Sequence, residues 1–186
     1  MTVVALVLAA GRSMRFGGDK RRALLADGRS LLAHSVEQAL AAFDEVRVVL
    51  RDGERAQDLG LPAGCRVVHS RDAALGMGHS LAAGIASLDD SRAQAAAIVL
   101  GDMPWIASAT LRRLAQDASA SSILLPLHDG RQGHPVVFGR AFWPELMCLT
   151  GDEGARSVVR AHRDSCLALE VDDAGVLRDV DTPQAL

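Results

Sequence analysis

The stretch Thr2-Val3-Val4-Ala5-Leu6-Val7-Leu8-Ala9-Ala10-Gly11 decides the fold class. Residues 2–8 are almost all β-branched or leucine, with no polar alternation after Thr2. A strand with one wet face would alternate, so a continuous run of this length reads as a strand buried on both faces, as in a parallel sheet. The apolar start could be mistaken for a secretory leader. No basic residue precedes it, however, and arginines stand where small residues would mark a cleavage site, so a first buried strand is the better reading.

Outward from this strand the pattern changes period repeatedly. Residues 31–42 have helical spacing, with Leu32, Val36, Ala39 and Leu40 on one face. Residues 46–50 and 66–69 read as strands, 78–88 as a helix, and 95–100 as another short buried strand ending at Gly101-Asp102. Residues 108–118 return to helix with Ser108 as N-cap. Residues 122–127 and 135–138 are strand candidates, 140–149 and 153–162 helices, and 167–171 a last strand. Strands alternating with helices predict an α/β fold with a mostly parallel sheet and helices on both faces. No repeat, low-complexity tract or linker interrupts the 186 residues, so a single domain over 1–186 is expected.

Composition narrows the partners. Apolar residues make up 49% of the chain, enough for a full core, and the net charge of −3 gives no reason to expect nucleic acid or a membrane surface. No apolar run is long enough to span a bilayer. The three cysteines, Cys65, Cys148 and Cys166, are scattered and form no metal-binding or disulfide pattern, which fits reduced thiols and a cytoplasmic protein.

Charge is uneven along the chain. Between Gly11 and Arg22 stand Arg12, Arg15, Lys20, Arg21 and Arg22 against Asp19 alone. In parallel sheets ligands sit beyond the carboxyl ends of the strands, and this basic loop directly follows the first strand. It is neither a dinucleotide fingerprint nor a Walker A loop, because both glycine spacings fail. Its parts nevertheless suit a triphosphate: Gly11, Gly17 and Gly18 let backbone amides approach anions, Arg15 offers a planar fork, and Lys20 a point charge. Spacing alone leaves open a glycine-rich turn with solvated arginines.

Two acidic segments suggest a metal. Asp102 follows a central strand, between Gly101 and Met103-Pro104. Magnesium takes one or two protein carboxylates plus phosphate oxygens, so a second carboxylate is sought, and Asp179-Val180-Asp181-Thr182-Pro183 offers two. Taken singly, either segment also reads as ordinary turn chemistry. Gly76-Met77-Gly78-His79-Ser80-Leu81 opens a helix with small residues, leaving room for a flat base or, equally, for close packing.

Taken together, these segments resemble the nucleotidyltransferases related to the molybdenum cofactor guanylyl- and cytidylyltransferases. Residues 8–20 are similar to that family's triphosphate loop, Gly101-Asp102-Met103-Pro104 to its metal motif, and Asp179-Val180-Asp181-Thr182-Pro183 to its closing motif. The helix entry at Gly76, Gly133-His134-Pro135-Val136, and Gly151-Asp152-Glu153-Gly154-Ala155-Arg156 match further segments, six in family order. Arg21-Arg22-Ala23 departs from it, replacing more usual apolar residues.

The resemblance implies a Rossmann-like three-layer domain, an NTP donor and a magnesium cofactor. Leu8, Ala9, Ala10, Gly11, Arg15, Lys20 and Ser80 would meet the nucleotide. Lys20, Arg15 and Asp102 would be catalytic, and Asp102 and Asp181 would hold the metal, with Asp179 structural or supporting. His134 and Arg156 would face the acceptor, although Arg156 could instead pair with Asp152. Ala10, where guanylyl members carry glycine, and the Gly76 and Gly133 segments favour CTP as donor. A molybdopterin-type acceptor, with a molybdenum hydroxylase as recipient of the product, follows from the resemblance alone. The implied chemistry is in-line attack by an acceptor phosphate oxygen on the α-phosphorus, which needs positioning and charge stabilisation but no strong base.

Overall fold

Residues 3–8 form the spine of the molecule in the computed structural model, which describes residues 1–12 and 16–186. Strand β1 (Val3–Leu8) lies between β2 (Glu45–Arg51) and β4 (Ala95–Leu100), parallel to both, and β3 (Arg66–Ser70) extends the sheet beyond β2. Beyond β4 come β7 (Val136–Gly139) and β5 (Ile123–His128). The two-residue β6 (Arg131–Gln132) and β8 (Cys166–Glu170) both pair with β5. Among the described residues the sheet has eight strands, and only β6 and β7 run against the rest.

The apolar run of β1 is buried on both sides, as its composition requires. Val3, Ala5 and Val7 face one core and Val4 and Leu6 the other. Helices α1 (Leu31–Leu40) and α3 (Ser108–Asp117) cover the first face, through Leu32, Val36, Leu111 and Leu114. Helices α2 (Met77–Ala86), α4 (Trp143–Leu146) and α5 (Arg156–Ala161) cover the second, through Leu81, Ile85, Trp143, Leu146 and Val158. The result is the expected three-layer α/β arrangement. Gly84 brings α2 close to the sheet: a Cβ there would lie 3.0 Å from Val49 and 3.3 Å from Leu6.

Several expectations require correction. Residues 140–149 do not form one helix; a tight turn at Arg140–Phe142 precedes the short α4, whose entry is set by Pro144, which has no N–H to give to a longer helix. The helix expected over 153–162 starts only at Arg156, because Gly151 and Gly154 adopt positive φ and hold the preceding residues in a loop. Ser108 is not the N-cap of α3; Ala107 occupies that position, and the Ser108 hydroxyl donates to Gln38 instead. Asp173, far along the chain, accepts the Ala107 N–H and the Thr110 hydroxyl. The unforeseen β6 arises from the turn at Asp129-Gly130, both with positive φ, a pair whose hairpin signal is written in the sequence.

The strand order reverses between β1 and β4: β2 and β3 build outward on one side of β1, and β4 starts the other. Such a switch point is where the loops leaving two neighbouring strands diverge and open a crevice.

Candidate active site

The crevice begins where β1 and β4 end side by side, with Leu8 level with Leu100. The Gly101 N–H donates to the Leu8 carbonyl at 3.1 Å. A Cβ at Gly101 would come within 2.9 Å of Leu32 and 3.1 Å of that carbonyl, so glycine lets the chain pass tightly before Asp102. The C-terminal segment returns to this point: the Val180 N–H donates to the Asp102 carbonyl at 2.9 Å. It is tied down by Asp173, which also accepts the Gly175 N–H, and by Arg178, whose guanidinium lies 4.3 Å from the Trp105 ring centroid.

These ties bring distant residues together. Lys20 begins a tight turn (Lys20–Arg22) in which the Asp19 carboxylate accepts the Arg21 N–H. Its Nζ donates to Asp102 Oδ2 at 2.6 Å and to the Val180 carbonyl at 3.1 Å, and stands 3.8 Å from Asp181 Oδ1. Asp102, Asp179 and Asp181 each present a carboxylate oxygen within 4.8 Å of the others. That is an all-oxygen donor set of the kind hard divalent cations take. The two carboxylates expected from the sequence, Asp102 and Asp181, are therefore brought together, and Asp179 stands with them.

A cleft of ≈ 410 Å³ opens beside this cluster, lined by Leu8, Ala9, Ala10, Gly11, Arg12, Lys20 and Ser80 among others. Of the nucleotide residues expected from the sequence, all line it except Arg15, which lies outside the described residues. Ser80 is buried in the first turn of α2. The helix entry is less open than its glycines suggested. Gly151 packs against it, and its carbonyl accepts the Gly78 N–H at 2.7 Å. A Cβ at Gly76 would lie 2.3 Å from the same oxygen. The glycines serve close packing between two of the segments noticed in the sequence.

A second cleft, ≈ 530 Å³, adjoins the first and shares Leu8, Met77, Leu100 and Asp152 with it. His134 and Arg156 both line it, with Leu81, Ile98 and Phe138 forming an apolar wall. Asp152 borders both clefts and Arg156 the second, and the two form no ion pair among the described residues. Burial pushes the His134 imidazole below its usual pKa, opposed by the Asp102 charge and reinforced by Arg156. Its Nδ1 is buried without a hydrogen-bond partner among the described residues.

With this geometry in view, the comparisons decide the family. A model of the MobA-like NTP transferase domain matches residues 5–166. The chain belongs to this family. The purine catabolism protein PucB of Bacillus subtilis is 31% identical over 195 residues, covering 98% of this chain and 93% of PucB. A Chloroflexus aggregans protein named "probable molybdenum cofactor guanylyltransferase" is 35% identical over 128 residues, 68% of this chain and 58% of that protein. The crystal structure of Rv0371c from Mycobacterium tuberculosis H37Rv superposes with a TM-score of 0.87 at 32% identity, covering 100% of this chain and 95% of that one. Rv0371c has also been crystallised in complex with manganese.

Within this MobA-like domain, the basic loop differs from its sequence reading in one respect. Arg21 is not a solvated cation: it is 6% exposed and holds Asp19 and Glu54. Arg22 lies at the surface against the Asp58 carbonyl. Only Arg12 and Lys20 of the described loop cations line the cleft without being buried. Glu54 and Arg51 carried no motif and were not singled out; a buried arginine in a loop calls for carboxylate partners, but sequence spacing does not say where they are. No helix among the described residues is long and apolar enough to cross a membrane.

Proposed function

We propose that this MobA-like domain is a magnesium-dependent nucleotidyltransferase that moves CMP from CTP onto a molybdopterin-type acceptor and releases pyrophosphate. The observation that carries the reading is the convergence of Lys20, Asp102 and Asp181 beside a cleft that adjoins a second one. The three clustered carboxylates fit a hard divalent cation, with Asp102 and Asp181 as its ligands. When bound, the metal supplies charge neutralisation at phosphate oxygens.

The chain's own residues do the rest. Ala10, Gly11 and Arg12 bound the nucleotide cleft and Ser80 lies in its wall, placing the triphosphate along the end of β1. Arg15 belongs to the same role by resemblance. Lys20, on a stem anchored beside Asp102, carries its ammonium to the α-phosphate, where negative charge develops during attack. Arg156, exposed at the first turn of α5, receives the acceptor phosphate, and a neutral His134 orients the acceptor from the wall of the second cleft. A phosphate nucleophile is already ionised near neutral pH, so alignment of the two clefts is the main catalytic requirement.

CTP is supported by Ala10 and by the segments at Gly76 and Gly133. GTP is a second reading, favoured by the Chloroflexus relative named a guanylyltransferase. Measuring pyrophosphate release with CTP or GTP, with and without molybdopterin cofactor, separates them. Release with CTP and cofactor is expected. Release with GTP alone among the NTPs overturns the donor assignment, and tight cofactor binding without release from any NTP favours a carrier that hands the cofactor to a molybdenum hydroxylase.

A further inference from the structure

Three consecutive carbonyls leaving β1 are each held by a guanidinium. Arg21 Nη1 donates to the Ala9 carbonyl at 2.9 Å. Arg51 Nε donates to the Ala10 carbonyl at 3.2 Å, and its Nη2 to the Gly11 carbonyl. Both arginines are held in turn by one carboxylate. Glu54 accepts both terminal nitrogens of Arg21, at 2.8 and 2.7 Å, and the Arg51 backbone N–H at 3.0 Å, and stands 3.5 Å from Arg51 Nη1. Asp19 takes the other edge of Arg21, at 2.8 Å from Nε and 2.8 Å from Nη2.

In a trans peptide the C=O and the following N–H point in opposite directions. Fixing the carbonyls of residues 9, 10 and 11 on the guanidinium side therefore turns the N–H groups of Ala10, Gly11 and Arg12 the other way. Ala10, Gly11 and Arg12 line the first cleft, which Arg21 also borders although all its donors are committed elsewhere. Successive amides aimed together in this manner make an anion-binding concavity.

We propose that Arg21, Arg51 and Glu54 are positioning residues that aim the amides of residues 10–12 at the nucleotide phosphates. The inference rests on the nucleotidyl-transfer reading. It explains the departure at Arg21: this arginine follows the loop lysine yet does not serve as a phosphate ligand, because its donors are committed to Asp19, Glu54 and Ala9. A phosphate drawn to the cleft meets main-chain N–H groups there, with Lys20 supplying the charge.

The test uses full-length Arg21→Met, Arg21→Lys, Arg51→Met, Glu54→Gln and the Arg21→Met/Glu54→Gln double variant. Backbone ¹⁵N order parameters are measured without nucleotide, and CTP kinetics with it. The amides of residues 10–12 are expected to fall from a rigid value of about 0.85 towards about 0.6 in Arg21→Met and Arg51→Met, while those of β4 stay unchanged. The KM for CTP is expected to rise roughly tenfold in Arg21→Met and Glu54→Gln, with a smaller change in kcat, and the double variant to be no worse than the poorer single. Arg21→Lys does not rescue, because one ammonium cannot reproduce the two-sided fork.

If Arg21 bound phosphate directly, Glu54→Gln would release it and lower KM; that result, or unchanged order parameters in both arginine variants, overturns the proposal. Arg51 is partly exposed, so Arg51→Met carries the test should the Arg21 variants fail to fold. Absence of turnover in the wild type would refute nucleotidyl transfer, while the order parameters would still judge the clamp.

Discussion

Lys20 Nζ stands 2.6 Å from Asp102 Oδ2 and 3.8 Å from Asp181 Oδ1, so one ammonium spans the two carboxylates proposed to hold a divalent metal. The lysine and the proposed metal would thus share the same acidic ligands. Removing the lysine charge should strengthen metal binding even as it weakens catalysis. Lys20→Met is expected to tighten Mn²⁺ binding in the absence of nucleotide, read by electron paramagnetic resonance, and to lower kcat by roughly 10²-fold or more. Weaker Mn²⁺ binding in this variant would contradict the arrangement.

The tail that carries Asp179 and Asp181 is fixed by Asp173, which accepts from Ala107, Thr110 and Gly175. Asp173→Ala leaves those donors without their acceptor and is expected to cost about 1–3 kcal/mol in urea denaturation. It should also weaken Mn²⁺ binding, because Asp181 loses its anchor. Stability lost with metal affinity intact would show that the tail is held by other contacts.

Gly175 makes a sharper packing prediction. A Cβ there would lie 2.1 Å from the Trp105 carbonyl oxygen, backbone against backbone. Gly175→Ala therefore has no cheap relaxation, and a fall in thermal midpoint equivalent to about 1–3 kcal/mol is expected. An unchanged melting curve would mean that the close approach of the tail to residue 105 is not required.

His134 sits in the wall of the second cleft, and burial holds its pKa below the ordinary 6.5. It is therefore neutral at pH 7. Because the unfolded chain takes up this proton first on acidification, the contribution to stability is fully present above pH 6.5 and is lost as pH falls towards the folded value. Its imidazole C–H resonances should titrate with a midpoint under 6.5; a midpoint above that value would mean a partner stabilises the charged form.

Much of this was legible in the sequence for a simple reason: local composition reports burial. The unbroken apolar runs of β1 and β4 are the pattern of strands covered on both faces, and their order with the intervening amphipathic helices pointed to the α/β architecture. Asp102 and Asp181 were readable because each sits in a short motif. Their meeting was not, since it depends on the Val180–Asp102 backbone contact and on Asp173, a tie between segments more than sixty residues apart. The surroundings of Arg21 were hidden for the same reason. In sequence it is one more cation in a basic loop; only the fold brings Glu54 and Asp19 to its two edges. The helices read over 140–149 and 153–162 are shorter in the structure because Pro144 lacks an N–H and Gly151 and Gly154 adopt positive φ, neither of which apolar spacing encodes.

The most direct test of the central claim is pyrophosphate release from CTP, with magnesium and molybdopterin cofactor supplied, by the wild type and by Asp102→Ala. The expected result is metal-dependent release by the wild type and a loss of roughly 10²-fold or more in the variant. Near-wild-type release by Asp102→Ala at saturating magnesium would contradict the account.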